Sequence, residues 1–183
     1  MTVGERKKGR LSPKAHALII LCFSILLIFA AAFQCADIKI FGALPDFCFT
    51  LICAIGFIAG ERYGAIYGLC GGVLIWALGS GGISLSPLLY ALCGYLCGAL
   101  PSLILRRNFL SYLVYTAMMG GIHLIFTLIY FIMLSGSYEM WQTYAKMIIP
   151  EFILCVIFMT VAYGAVKLIY TLLKGKKKDS RVK

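Results

Sequence analysis

Apolar residues in this chain come in long unbroken runs, separated by short polar or basic breaks. They do not alternate with polar residues, so the period-2 signature of a membrane β-barrel is missing. A helix that crosses a bilayer needs about 20 predominantly apolar residues. The run at 15–33 meets that length, and the runs at 44–60 and 63–79 are shorter. Three more follow at 86–105, 109–134 and 148–173, and the last two are long enough to tilt or to project from the bilayer. The pattern predicts an all-α polytopic membrane bundle of six transmembrane helices. It forms one domain over 15–173, between a basic tail at 1–14 and a basic tail at 174–183.

Composition agrees and narrows the class. The chain is 62% hydrophobic and 13% charged, where a soluble domain carries roughly 25% charged residues. A water-soluble fold and a disordered chain are both excluded. With 183 residues, six spans leave no room for a separate soluble domain.

The net charge of +10 suggests nucleic acid until its placement is read. Lys and Arg concentrate in the two tails, at Arg62 between the second and third runs, and at Arg106 and Arg107 between the fourth and fifth. Only Lys39 and Lys146 fall on the opposite side of an alternating topology. That asymmetry puts both termini in the cytoplasm. The tails are suited to anionic lipids and not to nucleic acid. A cleaved leader ending near Ala30-Ala31-Ala32 is the alternative for the first run, but its apolar stretch exceeds the usual 7–15 residues. A lipoprotein reading at Cys35 is weaker, because Phe33 and Gln34 stand where small residues are wanted.

Glycines give the strongest local pattern. Gly56, Gly60, Gly64, Gly68 and Gly72 recur every four residues, interrupted by the Glu61-Arg62 turn. Small residues at this spacing clear one helix face and let backbones approach, so the ladder predicts a tight helical hairpin. Gly94 and Gly98 repeat the device on the fourth span and are a candidate partner interface. No Lys-Ser or Lys-Thr follows the glycines, so they are not a phosphate-binding loop.

Candidate chemistry is sparse. Asp46 follows Pro45 and Glu151 follows Pro150, both at the expected outer starts of spans, where the helix dipole favours an anion. His123 falls within the fifth span, where a polar side chain faces the bundle interior or a cavity. Asp46, His123 and Glu151 are the candidate polar site; the commoner role of such residues is capping or interhelical hydrogen bonding. The eight cysteines form no C-x-x-C and no Cys-His cluster, so they read as small apolar packing residues. Trp76, Trp141, Tyr138 and Tyr144 fall toward the outer interface, and Tyr63, Tyr112 and Tyr170 toward the inner one, as aromatic anchors. The segment 135–147 is the longest expected outer loop. With two histidines in the chain, no catalytic triad and no metal-hydrolase site can be assembled. No catalytic, cofactor or metal residues are expected, and a flippase-like enzyme lacks its charged cavity.

Longer stretches carry a family resemblance. Pro45-Asp46-Phe47 opens a span, GFIAGERYGAIYGLCGG follows at 56–72, SGG at 80–82 and SPLLYALCGYLCG at 86–98, ending at Arg106-Arg107. With Pro150 near the start of the last span, residues 40–173 resemble the rod shape-determining protein MreD family. The family often carries an acidic residue before the glycine-rich turn, where this chain has Trp76-Ala77-Leu78-Gly79, so no polar role is carried over there. The resemblance implies a non-enzymatic subunit of the bacterial plasma-membrane machinery for cell elongation. Such subunits support peptidoglycan synthesis with MreC, MreB and wall-synthesis enzymes, and Gly94/Gly98 would meet the transmembrane helix of MreC. The chain is also similar in size and span number to the substrate-binding subunits of energy-coupling-factor vitamin transporters. Asp46, Trp141, Tyr144 and Glu151 would furnish a pocket in that case, but the first span lacks the Ala-x-x-x-Ala docking motif.

Overall fold

The computed structural model describes residues 13–36, 45–78, 85–103, 108–135 and 139–175; of 14, 102–103, 131–132, 134–135, 139–149 and 174–175 only the backbone is described. Residues 1–12 and 176–183 of the basic tails, Lys39, Arg106, Arg107, Tyr138 and the SGG turn lie outside the described residues, as do the side chains of Trp141, Tyr144 and Lys146. Six helices account for the rest: α1 (Pro13–Cys35), α2 (Phe47–Ala59), α3 (Glu61–Ala77), α4 (Ser86–Leu103), α5 (Phe109–Ser135) and α6 (Glu139–Gly175). Three segments are long and apolar enough to cross a membrane: Ala15–Cys35, Phe109–Tyr130 and Pro150–Leu173.

The short helix α2 is the centre of the bundle. Every residue from Cys48 to Phe57 is buried, so this helix has no face for lipid and no polar face either. Around it, the long helices bury one stripe and expose the other. On α1 the buried stripe is Ile19, Phe23, Leu27 and Ala31, a four-residue step that keeps one face inward. The opposite face of α1 exposes Leu21, Ile25 and Ile28. On α5, Leu110, Val114, Met118 and Ile122 form an exposed stripe, while Tyr112, Thr116 and Met119 face the core. An apolar outer surface with an apolar interior is the arrangement of a protein solvated by hydrocarbon. Burial from water then does not drive the helices together, and close packing must.

Two expectations are corrected. Pro150 does not open the last helix. α6 starts eleven residues earlier, at Glu139, and runs through Pro150. A proline removes one hydrogen bond, to the carbonyl four residues back, and the preceding stretch contains Glu, Met, Gln, Ala and Lys, which favour helix. Most of the expected 135–147 loop is therefore helix, and Glu151 is an interior residue of α6. Tyr112 is not an interfacial anchor. It is fully buried, its hydroxyl donates to the Met159 carbonyl at 3.0 Å, and its ring meets those of Phe57 and Tyr163 at 5.3 and 4.8 Å. Tyr63 instead pairs across to α1, its hydroxyl 2.7 Å from His16 Nε2.

Candidate functional site

Glycines build the frame that holds the polar residues. Gly56 on α2, Gly64 on α3 and Gly94 on α4 meet at one crossing. A Cβ on Gly64 would lie 2.6 Å from the Gly94 carbonyl carbon and 2.8 Å from the Gly56 Cα. Gly68 faces the Ala91 Cα in the same way, at 2.6 Å, and a Cβ on Gly72 would lie 2.8 Å from the Pro87 nitrogen. These are backbone atoms, which cannot rotate aside. Gly60 differs from the rest of the ladder: no atom lies within 4 Å of its added Cβ, but its φ is +114°. It is the hinge between α2 and α3, a conformation that suits glycine.

Gly94 and Gly98 are not a free interface. A Cβ on Gly98 would sit 2.5 Å from the Glu61 Cα, and one on Gly94 would meet Gly64 and the Ile52 side chain. Their face is filled by α3 and α2 of the same chain, so a partner helix has no access to it. Sequence spacing identifies a cleared face but not the helix that fills it.

At the end of α2 away from Gly60, polar residues from five helices converge. Asp46 caps α2: its Oδ1 accepts from the Phe49 amide at 2.9 Å. Its Oδ2 accepts from the Tyr90 hydroxyl of α4. Gln34 at the end of α1 accepts from the Cys48 amide through Oε1 at 3.3 Å, and its side chain lies beside the Tyr90 hydroxyl. His123 of α5 stacks on Phe49 at 5.0 Å between centroids and meets the Tyr90 ring edge-on at 5.2 Å. Glu151 of α6 is half-buried and within electrostatic range of Asp46. Asp46 and His123 are thus brought together at Tyr90, with Gln34 beside Asp46 at the start of α2.

The cluster is internally matched. Among the described residues, no buried side-chain nitrogen or oxygen lacks a hydrogen-bond partner. Hydroxyls along the helices bond back to their own backbone, Thr50 to Phe47 at 2.9 Å and Thr116 to Tyr112 at 2.8 Å, a common way to satisfy them in hydrocarbon. No group of three or more His, Cys, Asp or Glu among the described residues is placed to hold a metal ion. Tyr90 and Gln34 were not singled out by sequence. Their only signal is chemical: Gln34 is the one amide in the first span, and Tyr90 follows a Ser-Pro helix start.

On the other side of α2, α1 and α6 part to leave an apolar crevice of about 270 Å³. Phe29, Ala30 and Phe33 form one wall, Phe158, Ala162 and Ala165 the other, and Phe47, Thr50 and Leu51 of α2 the floor. Phe47 is wedged between Phe33 at 5.2 Å and Phe158 at 4.5 Å, both in the edge-on geometry aromatic rings favour. Compared with known proteins, the chain matches no family model, no curated protein and no solved structure.

Proposed function

We propose that this chain is a non-enzymatic subunit of the cell-elongation machinery in the bacterial plasma membrane, of the kind MreD represents. In this reading the chain has six spans with both termini cytoplasmic, and it supports lateral peptidoglycan synthesis by holding partner helices. The helices α2, α3 and α4 are short for a bilayer. α2 is enclosed by the others, so it need not match the hydrocarbon thickness itself. The basic tails then contact anionic lipids, and MreB and the wall-synthesis enzymes join through the assembled complex. Protease-accessible tags at both termini are expected to be cut in inverted membrane vesicles and protected in intact spheroplasts; the opposite pattern would reverse the topology.

The observation that carries the reading is the crevice between α1 and α6. It lies within two membrane-crossing segments, is lined by apolar side chains, and opens onto the central helix. About 270 Å³ is too little for a helix of roughly 10 Å diameter, but it seats large side chains projecting from one. The occupant proposed is the single transmembrane helix of an MreC-type partner. Affinity purification of the tagged chain from its own membranes in mild detergent should recover such a partner and a wall transpeptidase. Filling the crevice with Ala30→Phe and Ala165→Phe should cut that recovery about tenfold, the equivalent of ~1.4 kcal/mol, with expression and melting temperature unchanged. Undiminished recovery would place the partner elsewhere.

One observation favours a second reading, a solute-binding subunit of an energy-coupling-factor transporter. Asp46, Tyr90 and His123 gather at the start of α2 beside the Phe49 ring. The same purification separates the two: an ATPase pair with a membrane coupling subunit, and no MreC, would overturn the shape-complex reading.

A further inference from the structure

Helices α1 and α2 both stop at the polar cluster, and α5 and α6 do not. α1 ends at Cys35, one residue past Gln34, and α2 begins at Phe47, one residue past Asp46. The register of the α5–α6 pair is fixed by Phe109 against Tyr163 at 5.3 Å, Tyr112 bonded to Met159, and Gly120 beside Phe152. His123 stacks on Phe49, three residues past Asp46, and meets Tyr90, so it lies at the level of the start of α2. α5 runs twelve residues beyond it to Ser135, about 18 Å of helix. This stretch of α5 forms an arm beyond the cluster.

The outward face of this arm is apolar. Ile125, Ile129 and Met133 are exposed, Met133 to 82%. They continue, at steps of three and four residues, the membrane-facing stripe of Leu110, Val114, Met118 and Ile122. From Leu110 to Met133 the stripe measures about 35 Å along the helix, close to the roughly 30 Å of bilayer hydrocarbon once a helix tilts. α2, at 13 residues, measures only about 20 Å. With the Gly60 hinge and the Glu61-Arg62 start of α3 at the inner surface, the other end of α2 stops well short of the outer one.

From this we infer that the acyl chains of the outer leaflet cover the α5 arm as far as Met133, so that the Asp46–Tyr90–His123 cluster sits inside the hydrocarbon and not at its surface. About 15 Å of α5 separates His123 from Met133. The arm is a lipid-facing surface, continuous with the spans below it, and its occupant is the fatty-acyl region of the bilayer.

The inference rests on the membrane-spanning reading, and the test separates the two. In a chain carrying Trp76→Phe and Trp141→Phe, a single tryptophan is placed by Met133→Trp in one variant and by Met118→Trp in another. Each is reconstituted in phosphatidylcholine vesicles with brominated acyl chains, and iodide is added as an aqueous quencher. Both tryptophans should lose about half their emission to the bromines, which lie at hydrocarbon depth, and little to iodide. Iodide quenching at Met133→Trp without bromolipid quenching, while Met118→Trp responds to bromolipid, would put the arm in water and overturn the inference. Quenching of Met133→Trp by neither agent would mean that protein covers the arm, and would overturn it equally. Failure of bromolipid to reach Met118→Trp would overturn the membrane-spanning reading itself, and this inference with it.

Discussion

Replacing Gly64 with leucine is expected to prevent the bundle from assembling. The first added atom, a Cβ, would already lie 2.6 Å from the Gly94 carbonyl carbon and 2.8 Å from the Gly56 Cα. Both obstacles are backbone, so relief requires moving α3 away from α4 and α2 along their length. Overpacking a well-filled interior costs about 1–3 kcal/mol when side chains can adjust. Here they cannot, and Gly64→Ala alone should cost about 3 kcal/mol or more by the same reasoning. In a membrane the loss is not offset by burying apolar surface, because the helices lose van der Waals contact to lipid tails of equal apolarity. A detergent-unfolding titration followed by helical content or gel-filtration profile would register the change. Gly164→Ala is the control: no atom lies within 4 Å of its added Cβ. That substitution should leave stability unchanged or raise it by up to about 1 kcal/mol, the helix-propensity difference between the two residues. Equal behaviour of the two alanine variants would remove close backbone approach as the organising contact of α2, α3 and α4.

The contrast between these glycines marks how far sequence reading reaches. A four-residue glycine period states that one helix face is bare, and Gly56, Gly64, Gly68 and Gly72 all lie at close helix approaches. The period does not state what meets the face. Gly94 and Gly98 carry the same period, yet they are the other half of the same contact and not a surface for a partner. Helix limits were legible where Pro-Asp precedes an apolar run, as at Pro45-Asp46, and to within two residues at Glu61-Arg62, which opens α3 while Gly60 alone makes the turn. They were not legible at Pro150, because a helix can absorb one proline when the residues before it favour helix. Asp46 was recognisable as a capping residue from local chemistry alone. Its bond to Tyr90, 44 residues later in the chain, depends on how α2 and α4 cross, and no local pattern encodes that crossing. His123 and Glu151 stood out as polar residues in apolar runs, but the stacking of His123 on Phe49 and against Tyr90 is a property of the packed bundle.

That long-range contact supports the second large effect. Asp46→Ala removes the cap on the Phe49 amide and the acceptor of the buried Tyr90 hydroxyl together. A lost cap costs about 1 kcal/mol, and a buried donor left without its acceptor about 1–3 kcal/mol, so the variant should lose about 2–4 kcal/mol. Asp46→Asn keeps one oxygen for the Phe49 amide but puts an NH2 donor in place of the Oδ2 that Tyr90 uses, so it should retain the cap and lose the Tyr90 acceptor, about 1–3 kcal/mol. Tyr90→Phe removes only the donor. If the two residues act as one unit, the double variant Asp46→Ala, Tyr90→Phe should be more stable than the sum of the single losses allows, since no hydroxyl is then orphaned. Hydrogen bonds between membrane helices average about 0.6 kcal/mol in such cycles and reach about 1.7. The Asp46–Tyr90 bond is buried on both sides, so it belongs at the upper end of that range, and a coupling of about 1–2 kcal/mol is expected. Additive losses in the unfolding titration would instead make Asp46 a local cap alone, with Tyr90 held by its packing against Phe49 and His123. A coupled loss would identify the Asp46–Tyr90 bond as the tie between the central helix and the glycine-packed pair α3–α4, at the level where α1, α5 and α6 also meet.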